Sequence, residues 1–227
     1  MPSTDSGNYL TQEEEKEQGY FMPDSKPYGL TYGQWTVKWW NWALSIPKEN
    51  NPVVDDTGKY ANVSQNDPNV FFLAGTFGGA TVQRQCTVPD GRAVLFPVIN
   101  YHVNRIMDPQ LITETEMVEE VIKDQDDIIN LEATIDGKRI PFYRVRSDPS
   151  VFPLTISPDL ISTLSPDLIE TKKEIPKGKD AVICEAASDG YWIFLKPFAK
   201  GEHKIFFAGS CSSGVRNVRA AYNITVA

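Results

Sequence analysis

The chain has 227 residues, of which 41% are hydrophobic and 11% aromatic, enough to fill the core of one large domain. Its 30 acidic residues outnumber 22 basic ones, and the formal net charge of -8 repels phosphate backbones and anionic lipid alike, so nucleic acid is excluded as the expected partner. Apolar runs such as Ala93 to Ile99 are too short to cross a bilayer, and no transmembrane helix is expected.

Residues 1–27 lack apolar periodicity and read as a flexible polar tail, with no basic segment, apolar stretch and small-residue cleavage site of the kind a signal peptide needs. A single domain is expected over 28–227. It opens on four of the chain's five tryptophans, at positions 35, 39, 40 and 42. Thr31 and Gln34 form a capping-box pair ahead of them, and Pro47 ends the helix near Ile46. At about 100° per residue, Trp35, Trp39, Trp42 and Ile46 share a narrow arc, and only Gln34, Lys38, Asn41 and Ser45 form a polar strip. Most of the rings are therefore expected in the core. Trp39 and Trp40 diverge too far to make one flat platform, which leaves Trp40 as the ring best placed to meet a ligand.

From residue 70 the pattern turns to strands: Val70 to Leu73, Thr81 to Val88 and Arg92 to Ile99, punctuated by Gly75, Gly78-Gly79 and Asp90-Gly91. The third is apolar on both faces and should be central. A second capping box, Thr113 with Glu116, starts an acidic helix whose apolar face is read as Met117, Val118, Val121, Ile122, Ile128 and Ile129, a helical insertion near 113–130. Leu131 to Ile135 alternates, Asp136-Gly137 turns, and Ile140 to Val145 carries Pro141 and so belongs at an edge. The repeat Ser157-Pro-Asp-Leu-Ile161 and Ser165-Pro-Asp-Leu-Ile169 predicts two short helical turns near 157–172. Ala181 to Glu185, Tyr191 to Lys196, His203 to Ala208 and Arg216 to Val226 complete a meander, with turns at Asp189-Gly190 and Lys200-Gly201. About nine short strands at this spacing predict a mainly β fold with helical insertions, an antiparallel β-sandwich of jelly-roll or Ig-like type with the tryptophan helix packed on it.

Motifs for chemistry are sparse. The acidic helix could offer carboxylates to a hard cation, but it has no calcium-loop glycine and reads as a solvated face. His102 and His203 are the only histidines, too few for a three-histidine metal site, and neither a Cys-x-x-Cys nor a His-x-x-x-His spacing occurs. No metal and no cofactor is expected. Cys211 lies in the small-residue stretch Ala208 to Gly214, which joins two predicted strands and so reads as a hairpin loop rather than a nucleophile elbow. Gly75 to Gly79 lacks the ending of a phosphate loop. Cys86, Cys184 and Cys211 are an odd set, which fits a reducing compartment and leaves one disulfide plus one free thiol open. Arg144 and Arg146 share a strand face that could meet an anion, although the chain's own carboxylates serve equally well.

The segments Tyr32-Gly-Gln-Trp35, Trp39 to Pro47, Phe72 to Gly79, Cys86 to Gly91, Leu95 to Asn100, Asp189 to Trp192 and Gly201 to Ile205 resemble a family of uncharacterised microbial (bacterial and archaeal) Trp-rich-motif β-sandwich proteins. The resemblance implies one integrated domain and, since many members are exported, an extracellular or cell-surface location; it carries no known activity, cofactor or catalytic residue. The expected function is non-catalytic, a binding or structural role toward a carbohydrate or protein ligand, with Trp40, Tyr191, Trp192 and His102 as the residues to meet it. The alternatives are a hydrolase-type enzyme that assembles His102 or His203 with Cys211 or a distant carboxylate, and a subunit of a larger assembly.

Overall fold

The computed structural model describes residues 19–164, 181–214 and 216–227. Its first long element, α1 (Tyr32–Ser45), is capped as the spacing predicts: Thr31 Oγ1 accepts the Gln34 N–H at 3.1 Å while Gln34 Oε1 accepts the Thr31 N–H at 2.9 Å. All four of its tryptophans are core, none more than 6% exposed. Three of them also tie the helix to separate stretches of backbone, their indole N–H groups donating to the carbonyls of Pro27 (Trp35, 2.8 Å), Leu73 (Trp39, 2.9 Å) and Val63 (Trp42, 2.9 Å).

Ten strands follow: β1 (Val70–Phe72), β2 (Val82–Val88), β3 (Ala93–Asn104), β4 (Ile128–Ile135), β5 (Lys138–Arg139), β6 (Tyr143–Arg144), β7 (Val151–Ile156), β8 (Val182–Leu195), β9 (Gly201–Cys211) and β10 (Asn217–Val226), with α2 (Glu114–Asp126) and α3 (Pro158–Leu164) between them. One sheet has the order β1-β3-β8-β6 with β7 also paired to β8; the other runs β2-β10-β9-β4-β5. Both are mixed rather than purely antiparallel, because β1 runs parallel to β3 and β2 parallel to β10. Phe96, Val98 and Ile193 of the first sheet share a core with Phe207, Tyr222 and Ile224 of the second, the Phe96 and Phe207 rings lying 4.9 Å apart. The first sheet's other face carries Leu95, Trp192 and Phe194 against α1, while Val103 and Ala187, on the side that faces the second sheet, continue beyond it against Met117 and Val121 of α2. Burial on both sides explains why β3 and β8 are apolar on both faces. Two side-chain amides occupy open strand edges: Gln65 bonds the N–H and C=O of Phe72, and Asn41 on α1 bonds the Thr155 N–H and the Pro153 C=O of β7.

Several local expectations yield to tertiary contacts. The polar tail expected through residue 27 is docked from Gly19 onward, with Tyr20 bridged to Leu195, the Phe21 N–H on the Phe194 carbonyl at 2.8 Å, and the Phe21 ring edge-on to Phe194. Residues 1–18 lie outside the described residues. Asp189-Gly190 is not a turn, since β8 runs straight through it. Gly190 is required by close packing instead: a Cβ there would sit 2.6 Å from the Asn100 Cβ on β3. The acidic helix stops at Asp126, and Ile128 and Ile129 begin β4 because they pair with Cys211 and Ser210 of β9. The strand expected over 140–145 is shorter, and Pro141 falls where the chain leaves β5 in one sheet for β6 in the other. Strand β7 goes unsignalled in the sequence because Pro153 interrupts it, a residue an edge strand tolerates. Of the Ser-Pro-Asp repeat, the first copy forms α3, and the second lies outside the described residues.

Gly190→Ala should lower stability by about 1–3 kcal/mol through overpacking against Asn100. Urea unfolding of the two proteins measures it, and an unchanged midpoint would contradict the close approach.

Candidate ligand cavity

As far as Leu95 the alternation of β3 is simple: Ala93 and Leu95 face α1, while Val94 and Phe96 face the second sheet. A bulge between Pro97 and Ile99 then inserts one residue, so that Val98 and Ile99 both join the inter-sheet core. The phase reverses beyond it. Asn100, His102 and Asn104 thereby come round to the α1 side, where the His102 ring lies 4.5 Å from that of Trp40. Gly209 accommodates the bulge, since a Cβ there would lie 2.9 Å from the Ile99 side chain.

Between this polar stripe and the helix is a cavity of about 340 Å³. Trp39 and Trp40 bound it, with Val53, Phe77, Met107 and Val218 adding apolar wall and Asn100, His102 and Asp108 adding polar groups. Phe77 is partly exposed in the 75–79 loop. The loops are held by Arg84, which is 1% exposed and donates to the carbonyls of Val53 (3.2 Å), Asp55 (2.7 Å), Ala74 (2.7 Å) and Gly75 (2.9 Å) and to the Tyr222 hydroxyl (2.7 Å). Arg84 belongs to no motif in the sequence. The available signal was its phase, because Val82, Arg84 and Val88 share the inward side of β2.

The protonation of His102 follows from its neighbours. Asn104 Oδ1 accepts the N–H groups of Ile106 and Met107 at 3.0 Å each, which fixes the amide orientation and leaves Asn104 Nδ2 to donate to His102 Nε2 at 3.3 Å. The ring proton of neutral His102 is therefore on Nδ1. Burial pushes its pKa down to about 4, so the ring stays neutral near pH 7.

The other expected site residues are not gathered here. Trp192 is fully buried, edge-on to Trp39 with centroids 5.3 Å apart, and cannot offer a stacking face to a ligand. It is core because β8, like β3, is covered on both sides. Tyr191, the next residue along, points to the opposite side of β8 and packs beside Phe142, away from the cavity. His203 has Nδ1 2.8 Å from Asp136 Oδ2 and Nε2 2.8 Å from the Ala199 carbonyl, and two acceptors on one ring raise its pKa against the opposing effect of burial. Cys211 Sγ lies 3.2 Å from Ser213 Oγ, whose hydrogen bond lowers the thiol pKa, and it also receives the Arg216 N–H. Neither histidine is hydrogen-bonded to it. All three cysteines are free, and burial raises Cys86 to about 12 and Cys184 to about 11. Arg144 pairs with the chain's own Asp126 (2.5 Å) and Asp189 (2.9 Å). Among the described residues no group of three or more His, Cys, Asp or Glu could hold a metal ion, and no helix is long and apolar enough to cross a membrane.

Compared with models of known protein families, with curated proteins and with solved structures, the chain matches none.

The two histidines should give pH dependences of opposite sign. His102 has a depressed pKa, so the unfolded chain binds a proton that the folded one refuses; stability should fall by about 3 kcal/mol as pH drops from 6.5 toward 4, and His102→Gln should flatten that slope. The raised pKa of His203 contributes stability that is complete below about 6.5 and lost as pH rises through the folded value, a loss His203→Gln should remove. Urea midpoints from pH 4 to 9 measure both, and parallel curves for a variant and the wild type would contradict its assignment. Arg84→Met should cost at least about 2 kcal/mol in the same assay, because several buried carbonyls lose their donor at once.

Proposed function

We propose that the two sheets form a β-sandwich scaffold for a non-catalytic binding protein that holds one small organic molecule in the cavity between α1 and β3. The observation that carries this reading is the cavity's construction. About 340 Å³ lies within the range of small-molecule sites, and the wall combines aromatic and aliphatic surface with a few polar groups on rigid elements. His102 Nδ1, at this wall, carries a proton for which no described residue supplies an acceptor. A donor left free in a cavity wall is accounted for by a guest that accepts from it.

The reading is non-catalytic because His102 has a pKa of about 4 and its accepting nitrogen already bound to Asn104, which leaves it a poor general base near pH 7. A carbohydrate ligand would have to place one sugar ring inside the cavity, since Trp40, Tyr191 and Trp192 form no open platform.

Ligand-observed NMR with a collection of small fragments that includes single sugars tests the proposal. Binding is expected in the wild type and at least tenfold weaker in Met107→Trp, whose added ring fills the cavity. Undiminished binding by a folded Met107→Trp protein would overturn the location, and the absence of any hit would overturn the function.

A further inference from the structure

We infer that the ligand presents an uncharged carbonyl-type oxygen to the His102 Nδ1–H, with its hydrocarbon part against Trp39, Phe77 and Met107. This rests on the cavity being the binding site, and it narrows the ligand to neutral carbonyl compounds such as ketones, esters and amides. The first reason is the free donor on the ring. His102 carries its proton on Nδ1, and no described residue accepts from it. Two acceptors in the same wall are already engaged: Asp108 Oδ2 takes the Asn104 N–H at 3.0 Å, the Asp108 carboxylate also takes the Gln110 side chain, and Thr76 Oγ1 takes the Gly78 N–H at 3.2 Å. A carbonyl oxygen brings two lone pairs to the His102 N–H and no proton of its own that needs an acceptor.

The second reason is charge. Arg216, the one guanidinium at the cavity, is held by Asp124 at 2.6 Å, and Asp108 adds a carboxylate to the wall of a protein whose net charge is -8. A carboxylate ligand would lose its hydration without gaining a free cation.

Three probes of similar size separate the terms. Acetophenone carries the neutral acceptor, ethylbenzene lacks it, and benzoate adds a negative charge. Titrations followed by ligand-observed NMR, with ¹H–¹⁵N spectra of the protein, should show acetophenone binding about fivefold or more tighter than ethylbenzene and tighter than benzoate, as expected for one net hydrogen bond. In His102→Phe the acetophenone preference should disappear while ethylbenzene affinity is kept. Because that variant has to fold, the wild type supplies an independent readout: acetophenone, not ethylbenzene, should move the ¹⁵N resonance of His102 Nδ1. Equal affinity for acetophenone and ethylbenzene overturns the inference while leaving the cavity a binding site. Tightest binding by benzoate overturns the neutral assignment. No binding by any of the three overturns the inference, and if the fragment collection also yields no hit the proposed function falls with it.

Discussion

One extra residue in β3 decides which chemistry meets the tryptophan helix. Strand side chains alternate strictly, so inserting a residue reverses the facing of everything beyond it, and here the reversal moves Asn100, His102 and Asn104 out of the inter-sheet core and onto the α1 side. Without it three polar groups would face the second sheet and α2, and Ile99, Tyr101 and Val103 would turn toward α1 instead. Two glycines support the distortion: Gly190, on the neighbouring β8, lies where a methyl group would strike Asn100, and Gly209, on β9 of the facing sheet, lies where one would strike Ile99.

The same strand is gripped from both sides. The second sheet packs on one face and α1 on the other, and three indole N–H bonds fix the helix to the backbone at Pro27, Val63 and Leu73. Arg84 adds a second fixing point on the opposite side of the cavity, gathering the 53–55 and 74–75 segments around a guanidinium that has no carboxylate in hydrogen-bond contact. The walls of the cavity therefore come from elements that are each tied to another. Trp40 is the exception in the helix: its ring is as buried as its neighbours', yet its N–H has no acceptor.

What the sequence reveals here is what local chemistry decides. Both capping boxes are legible because their partners lie three residues apart, and the Trp arc is legible because a helix has a fixed period. Strand facing is harder. The run Ala93 to Ile99 is apolar throughout, so its phase is invisible, and the bulge hides inside the doublet Val98-Ile99. Asp189-Gly190 has the composition of a turn, but its glycine answers to Asn100 on the neighbouring strand, a contact that no window of β8 contains. Trp192 fails as a binding ring for the same reason, since only the assembled layers show that β8 is covered twice. His102 is legible as a residue but not as a donor, because its tautomer depends on Asn104, whose own orientation is set by the N–H groups of Ile106 and Met107. The parallel pairs β1–β3 and β2–β10 likewise leave no mark in either strand alone.

The facing and tautomer of His102 are where bulge, helix and cavity converge, and ¹⁵N spectra of its ring in the unliganded protein read them directly. The account predicts a protonated Nδ1 and an unprotonated Nε2, unchanged from pH 9 down to about 5 because the pKa is near 4. A ring that carries its proton on Nε2, or that titrates near the ordinary histidine value of 6.5, would show that this side chain is not held against Asn104 behind Trp40.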